Sequence, residues 1–122
     1  MILKLTNKSE NFYNYLGKFF GSRIVEITTQ DRIYDDNNKT WYIYLESDVV
    51  TSFISIANDK IKNIYSTNSD HLEKLLNYLK EDTLILPSTV TNAYVEIYTK
   101  CNFNISSDNY KNFVKIWSKE NE

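Results

Sequence analysis

The stretch TWYIYLESDVVTSFISIANDKIKNIYSTNSDHLEKLLNYLKE, residues 40–81, decides the fold. Thr40 to Glu46 alternates Trp41, Ile43 and Leu45 with Thr40, Tyr42 and Tyr44, which is the period of a strand. Ser47-Asp48 breaks the run. Val49 to Ala57 then carries Val50, Ile54 and Ile56 on one parity with Ser52 between them. Asn58-Asp59 breaks again, and Lys60 to Ser66 is a third, weaker run. Three β-rich runs with short polar breaks predict an antiparallel meander. The period then changes. Leu72, Leu75, Leu76 and Leu79 share one face of a helix that runs from Asp70 to Glu81. Ser69 or Asn68 can cap it, and acidic Asp70 and Glu73 favour its first turn.

Before this block, Met1 to Thr6 reads as a short strand. Phe12, Tyr15, Leu16, Phe19 and Phe20 fall on one face of a helix, capped by Ser9 or Asn7 and stopped at Gly21. Ile24 to Thr28 is apolar without a decisive period, and Asp35-Asp36-Asn37-Asn38 is a turn signal. After the block, Thr83 to Leu86 reads as a short buried strand stopped by Pro87. Ala93, Tyr94, Ile97, Tyr98 and Cys101 mark a last helix. Phe103–Ser106 and Tyr110–Trp117 bracket Ser107-Asp108-Asn109 as a terminal hairpin, and Lys119–Glu122 reads as a solvated tail. The predicted order is β-α-β-β-β-α-β-α-β-β.

The chain has 122 residues, 42% hydrophobic and 25% charged, which predicts one globular domain over residues 1–122. Formal net charge is −2, and Lys and Arg are scattered. No nucleic-acid footprint is therefore expected. No signal-peptide pattern opens the chain, and no apolar run nears the roughly 18 residues of a membrane span. The lone cysteine, Cys101, fits a reducing compartment, so the cytoplasm is the expected location.

The segment Asn92-Ala93 through Tyr98, Lys100 and Phe103 resembles one in the GNAT superfamily of N-acetyltransferases: an Asn, then Ala, then Tyr-x-Lys, then a Gly-Phe pair. Here Asn102 stands where Gly is usual, a mild departure because Asn also tolerates a left-handed helix stop. The element order is similar to that fold too. The resemblance implies an α/β (α+β) domain with a mixed, mostly antiparallel central sheet flanked by helices. It also implies that Asn92 would help bind acetyl-CoA and that Tyr98 would act as general acid toward the departing thiolate. A phenol suits that task because its pKa, about 10, lies near that of a thiol. The competing reading is that Tyr98, one turn from Tyr94 on the apolar face of its helix, packs its ring and satisfies one hydroxyl. Glu46, near the end of a central strand, is a candidate general base for an amine.

The family's acetyl-CoA loop, Arg/Gln-x-x-Gly-x-Gly/Ala, has no counterpart. Only Ser66-Thr67-Asn68-Ser69 lies between strand and helix, no glycine follows Ser22, and the only arginines are Arg23 and Arg32. Asp70 puts a carboxylate where a diphosphate would sit. It favours the helix start by roughly 0.3–1 kcal/mol and repels the ligand by a similar amount. His71, the only histidine, has no Cys or His partner at ligand spacing and reads as a solvated first-turn residue, so no metal site is expected. Cys101 reads as a small buried residue, and Asp35 and Asp36 as a solvated turn.

Two functions are compatible with these features. One is a degenerate GNAT-type protein with no cofactor, which binds a protein partner or a second copy of itself, in the style of phage and mobile-element regulators. Its contact side would be a groove bordered by Tyr65, Leu84 and Leu86, with Tyr94 and Tyr98 beside it. The other is a minimal N-acetyltransferase that holds acetyl-CoA by backbone contacts alone and acetylates an amine.

Overall fold

The structure is a computed structural model that describes residues 1–106 and 111–118. The turn Ser107-Asp108-Asn109 with Tyr110, and the tail Lys119–Glu122, lie outside the described residues. The fold is mixed α+β. Strand β1 (Ile2–Leu5) leads to helix α1 (Phe12–Leu16), a 3-10 turn (Gly17–Phe19) and α2 (Arg23–Thr29). The meander comes next as β2 (Thr40–Glu46), β3 (Val49–Ala57) and β4 (Lys60–Ser66), then α3 (Ser69–Asp82). β5 (Ser88–Thr91), a 3-10 turn (Asn92–Tyr94), α4 (Val95–Lys100), β6 (Asn104–Ile105) and β7 (Phe113–Trp117) complete it.

Two antiparallel sheets form, in the orders β1-β2-β3-β4 and β5-β7-β6. The three meander strands occupy the spans that the alternation predicts. Both polar breaks are two-residue hairpin turns, with Ser47 and Asp48 at φ 51° and 64° and Asn58 and Asp59 at φ 55° and 62°. Positive φ at both positions matches the twist of the flanking strands, and Asn and Asp tolerate it best among residues with a side chain. Helix α3 is capped as expected, with the Asn68 side chain accepting from the His71 amide at 3.1 Å.

The first sheet is buried on both faces. Trp41, Ile43, Leu45 and Phe53 pack under α1 and α2. Tyr42, Ile54 and Ile64 pack with the leucines of α3 and with Tyr98. Two β-bulges break the strict alternation. Tyr44 pairs Ser52 and Leu45 pairs Val50, which leaves Thr51 unpaired. Ser55 pairs Asn63 and Ile56 pairs Ile61, which leaves Lys62 unpaired. Each bulge flips the parity of the residues beyond it. Hence Val50 faces the α1–α2 side although Ile54 and Ile56 face α3, against the single parity that the sequence predicts.

Three expectations are corrected, and the undecided segment 24–28 is settled. The first helix is broken: Asn11 occupies its N-cap position at φ 64°, and Ser9 Oγ instead accepts from the Thr6 amide. Gly21 does take a left-handed φ of 73°, two residues past the 3-10 turn. Residues 24–28 are helical, inside α2, whose start is capped by Ser22. Thr83 to Leu86 is not a strand. The Ile85 main chain bonds to Ser118, the Leu86 amide to Asp59, and among the described residues a ladder begins only beyond Pro87, which has no N–H to give. Finally, β4 and β5 share no ladder, so the expected single central sheet is two sheets lying edge to edge. Among the described residues no helix is long and apolar enough to cross a membrane.

Candidate functional site

Of the predicted site residues, Tyr94 is the one that fills the gap in the ladder between β4 and β5. The strands run side by side, start to start and end to end. At the start, Ser88 Oγ accepts from the Ile61 amide at 2.8 Å. At the end, the Tyr94 hydroxyl accepts from the Ser66 amide at 3.0 Å and donates to the Ser66 carbonyl at 3.2 Å. One phenol thus satisfies both main-chain groups that end β4, groups that would otherwise need water or a ligand. Burial raises the Tyr94 pKa, so the hydroxyl keeps its proton and its donor role.

The short connection to α3 is also closed on itself. Ser66 Oγ accepts from the Asn68 amide and donates to the Asn68 carbonyl, and it shares a 2.7 Å bond with Ser52 Oγ. The Thr67 amide donates to the Thr51 carbonyl at 2.8 Å. Asp70 is exposed in the first turn of α3.

Tyr98 is fully buried, and its hydroxyl donates to the Thr91 carbonyl at 2.7 Å. Burial pushes its pKa well above 10. This is the packing geometry, with the one hydroxyl proton committed inside the fold. Asn92 is exposed on the 3-10 turn before α4, and its side-chain amide reaches the Lys111 carbonyl at 3.5 Å. Tyr65 is not at an open groove. It is 7% exposed, wedged between Phe19 and Phe53 on the α1–α2 side. Leu84 and Leu86 are exposed, but on the loop before β5.

Glu46 is paired with His71, whose Nε2 lies 2.8 Å from its carboxylate. The other ring nitrogen, Nδ1, lies 2.7 Å from Thr51 Oγ1, and the ring stacks on Tyr44 at 4.1 Å. His71 is therefore not the solvated residue that its position in the chain suggests, since its side chain is only 12% exposed. The bulge at Thr51 is what turns that hydroxyl toward α3. A hydroxyl–imidazole–carboxylate chain can relay a proton, and it also ties the β2–β3 hairpin to the start of α3. Thr51 and His71 are 20 residues apart in the chain, so no local motif announces the contact.

A second polar group lies under the loop that joins α2 to β2. Asn63 Oδ1 accepts from Lys39 Nζ at 3.1 Å and from Ser55 Oγ at 2.7 Å, and Asn63 Nδ2 donates to Asp31 Oδ2 at 3.1 Å. Burial lowers the Lys39 pKa, against the pull of Asp36, Asp31 and Asp35. Burial likewise raises that of Asp31, against its bond from Asn63. Asp35 is half-buried rather than solvated. Among the described residues no group of three or more His, Cys, Asp or Glu could hold a metal ion.

On the outer face of α2, Ile24 is 70% and Ile27 61% exposed, with Tyr13 and Tyr34 each 58% exposed nearby in sequence order on α1 and the loop after α2. Comparison with known protein families, with curated proteins and with solved structures finds no match.

Proposed function

We propose that this chain is a GNAT-type scaffold whose acetyl-CoA site is closed, and that it acts in the cytoplasm by binding another macromolecule. The observation that carries the reading is Tyr94. Its hydroxyl fills the end of the β4–β5 gap and takes both main-chain groups of Ser66. A cofactor entering there would have to displace two hydrogen bonds, meet the Asp70 carboxylate and dispense with a glycine-rich cradle. Support for the scaffold comes from the element order, from β4 lying beside β5 without a ladder, and from β7 inserted between β5 and β6.

Support for binding comes from α2. Ile24 and Ile27 stand in water on a short helix, whereas Tyr65 and Tyr94 are engaged inside. Apolar side chains exposed side by side are what a protein interface buries. The partner face of this reading is therefore the α2 surface and not the β4–β5 groove.

Calorimetry with acetyl-CoA tests it. No binding tighter than about 1 mM is expected, which corresponds to about −4 kcal/mol. A micromolar dissociation constant would sink the closed-site reading. It would favour the second one, a minimal N-acetyltransferase in which Glu46, coupled to His71 and Thr51, draws the proton from an amine.

A further inference from the structure

A cavity of about 440 Å³ opens between the turn that joins α1 to α2 and the loop that joins α2 to β2. That is the size range of small-molecule sites. Its apolar walls are Phe20, Ile33 and Tyr34, and its charged ones are Glu26, Arg32 and Asp35. Phe20 is held in place by packing on Phe12 and Trp41. Arg32 Nε lies 3.5 Å from Glu26 Oε1, so these two charges largely cancel.

Asp35 is left over. Its Oδ2 accepts from the Tyr13 hydroxyl at 2.6 Å, and its Oδ1 is buried with no hydrogen-bond partner. An ionised carboxylate oxygen without a donor is costly, and it calls for one. The nearest buried cation does not supply it. Lys39 Nζ is spent on the Tyr34 carbonyl at 2.9 Å and on Asn63, with Asp36 Oδ2 at 4.0 Å. The cavity thus joins a net negative charge to two aromatic rings, beside a carboxylate whose second oxygen is unpaired within the protein.

We propose that this cavity binds an alkylammonium group, either of a free amine or at the end of a lysine side chain. The ammonium would sit beside the Asp35 carboxylate that lines the cavity, and its alkyl stem would lie against Phe20, Ile33 and Tyr34. The site lies away from the β4–β5 gap, and the inference does not depend on the function proposed above.

Amide-detected NMR titration of the full chain tests it with three probes: butylammonium, N-acetyl-lysine amide and butan-1-ol. Shifts confined to Gly21, Ser22 and residues 32–35 are expected, with a dissociation constant of about 1 mM or below for at least one ammonium probe. Preference for the lysine amide assigns the ligand to a protein and preference for butylammonium to a free amine. The alcohol should bind at least about tenfold more weakly, a difference of about 1.4 kcal/mol. Asp35→Asn should weaken the ammonium probes by at least as much. Tyr34→Ala, at an exposed position, should weaken them several-fold without touching the fold. The proposal is overturned if neither ammonium shifts those amides at roughly ten times that concentration, or if the alcohol binds as well. Unchanged binding in both variants overturns it too.

Discussion

Asn63→Ala is expected to cost about 3 kcal/mol or more of stability, out of all proportion to one exposed-looking polar residue in a weak strand. Asn63 is 5% exposed and stands between a buried ammonium and a half-buried carboxylate. Removing it leaves Lys39 with one strong partner, the Tyr34 carbonyl, and leaves the fully buried Ser55 hydroxyl without its acceptor. Each orphan costs roughly 1–3 kcal/mol, more when charged. Urea denaturation reads the loss directly. Asn63→Leu combined with Lys39→Met should recover only the part owed to the stranded ammonium, because Ser55 and Asp31 still lose their partner. A loss below about 1 kcal/mol for Asn63→Ala would mean that water already shares the network.

Alkali should unfold the protein in a way that neutral pH does not foreshadow. Burial pushes the Cys101 thiol from 9.0 up to about 11. Burial, then the bond to the Asp82 carboxylate, pushes Tyr42 from 10.0 up to about 12. Burial, above all, also raises Tyr98 well above 10. In each case the folded chain holds its proton after the unfolded chain has lost it. Stability is therefore whole below the unfolded value and falls as pH rises toward the folded one, by up to about 1.4 kcal/mol per pH unit for each group. For Cys101 the window runs from about 9 to 11, and for Tyr42 from about 10 to 12. Lys39, lowered by burial, acts in the opposite sense until pH passes 10.5 and blunts the onset. Several kcal/mol should be gone near pH 11, a large part of the 5–15 kcal/mol of an ordinary domain. Tyrosinate absorbance and circular dichroism, followed together, should show late-ionising tyrosines appearing in step with loss of the fold. If all ten tyrosines titrate near pH 10 while the fold persists, the burial argument fails.

The meander and α3 are legible in the sequence because their signals are local. Trp41, Ile43 and Leu45 alternate within one strand, and the four leucines of α3 recur within one helix. Features that depend on register or distance stay hidden. The bulges at Thr51 and Lys62 reverse parity in mid-strand, and nothing in the residue types marks them. Helix α2 hides because Ile24 and Ile27 lie on its wet face and blur the period. The Tyr94–Ser66 bridge joins residues 28 apart, so the tyrosine reads as groove lining when its hydroxyl instead holds the end of β4. Leu84 and Leu86 mislead in the opposite direction: their apolar side chains suggest a buried strand, but only Ile85 between them turns inward. The glycine-free connection from Ser66 to Ser69, by contrast, is legible in the sequence alone.

The two-residue turns at Ser47-Asp48 and Asn58-Asp59 also bear on the order in which the chain organises itself. Closing β2 on β3, and β3 on β4, requires almost no search, whereas β1 must find β2 across the whole α1–α2 excursion. The difference in closure entropy is roughly 2 kcal/mol. The second sheet likewise needs β7 to return past α4 and slot between β5 and β6. A folding nucleus of β2, β3 and β4 with α3 laid across them is therefore expected to form first, while the chain's opening strand and its last two anneal afterwards. Pulse-labelled hydrogen exchange would reveal this as amides of Ile54 and Ile64 gaining protection ahead of those of Leu3 and Val114, and simultaneous protection would rule it out.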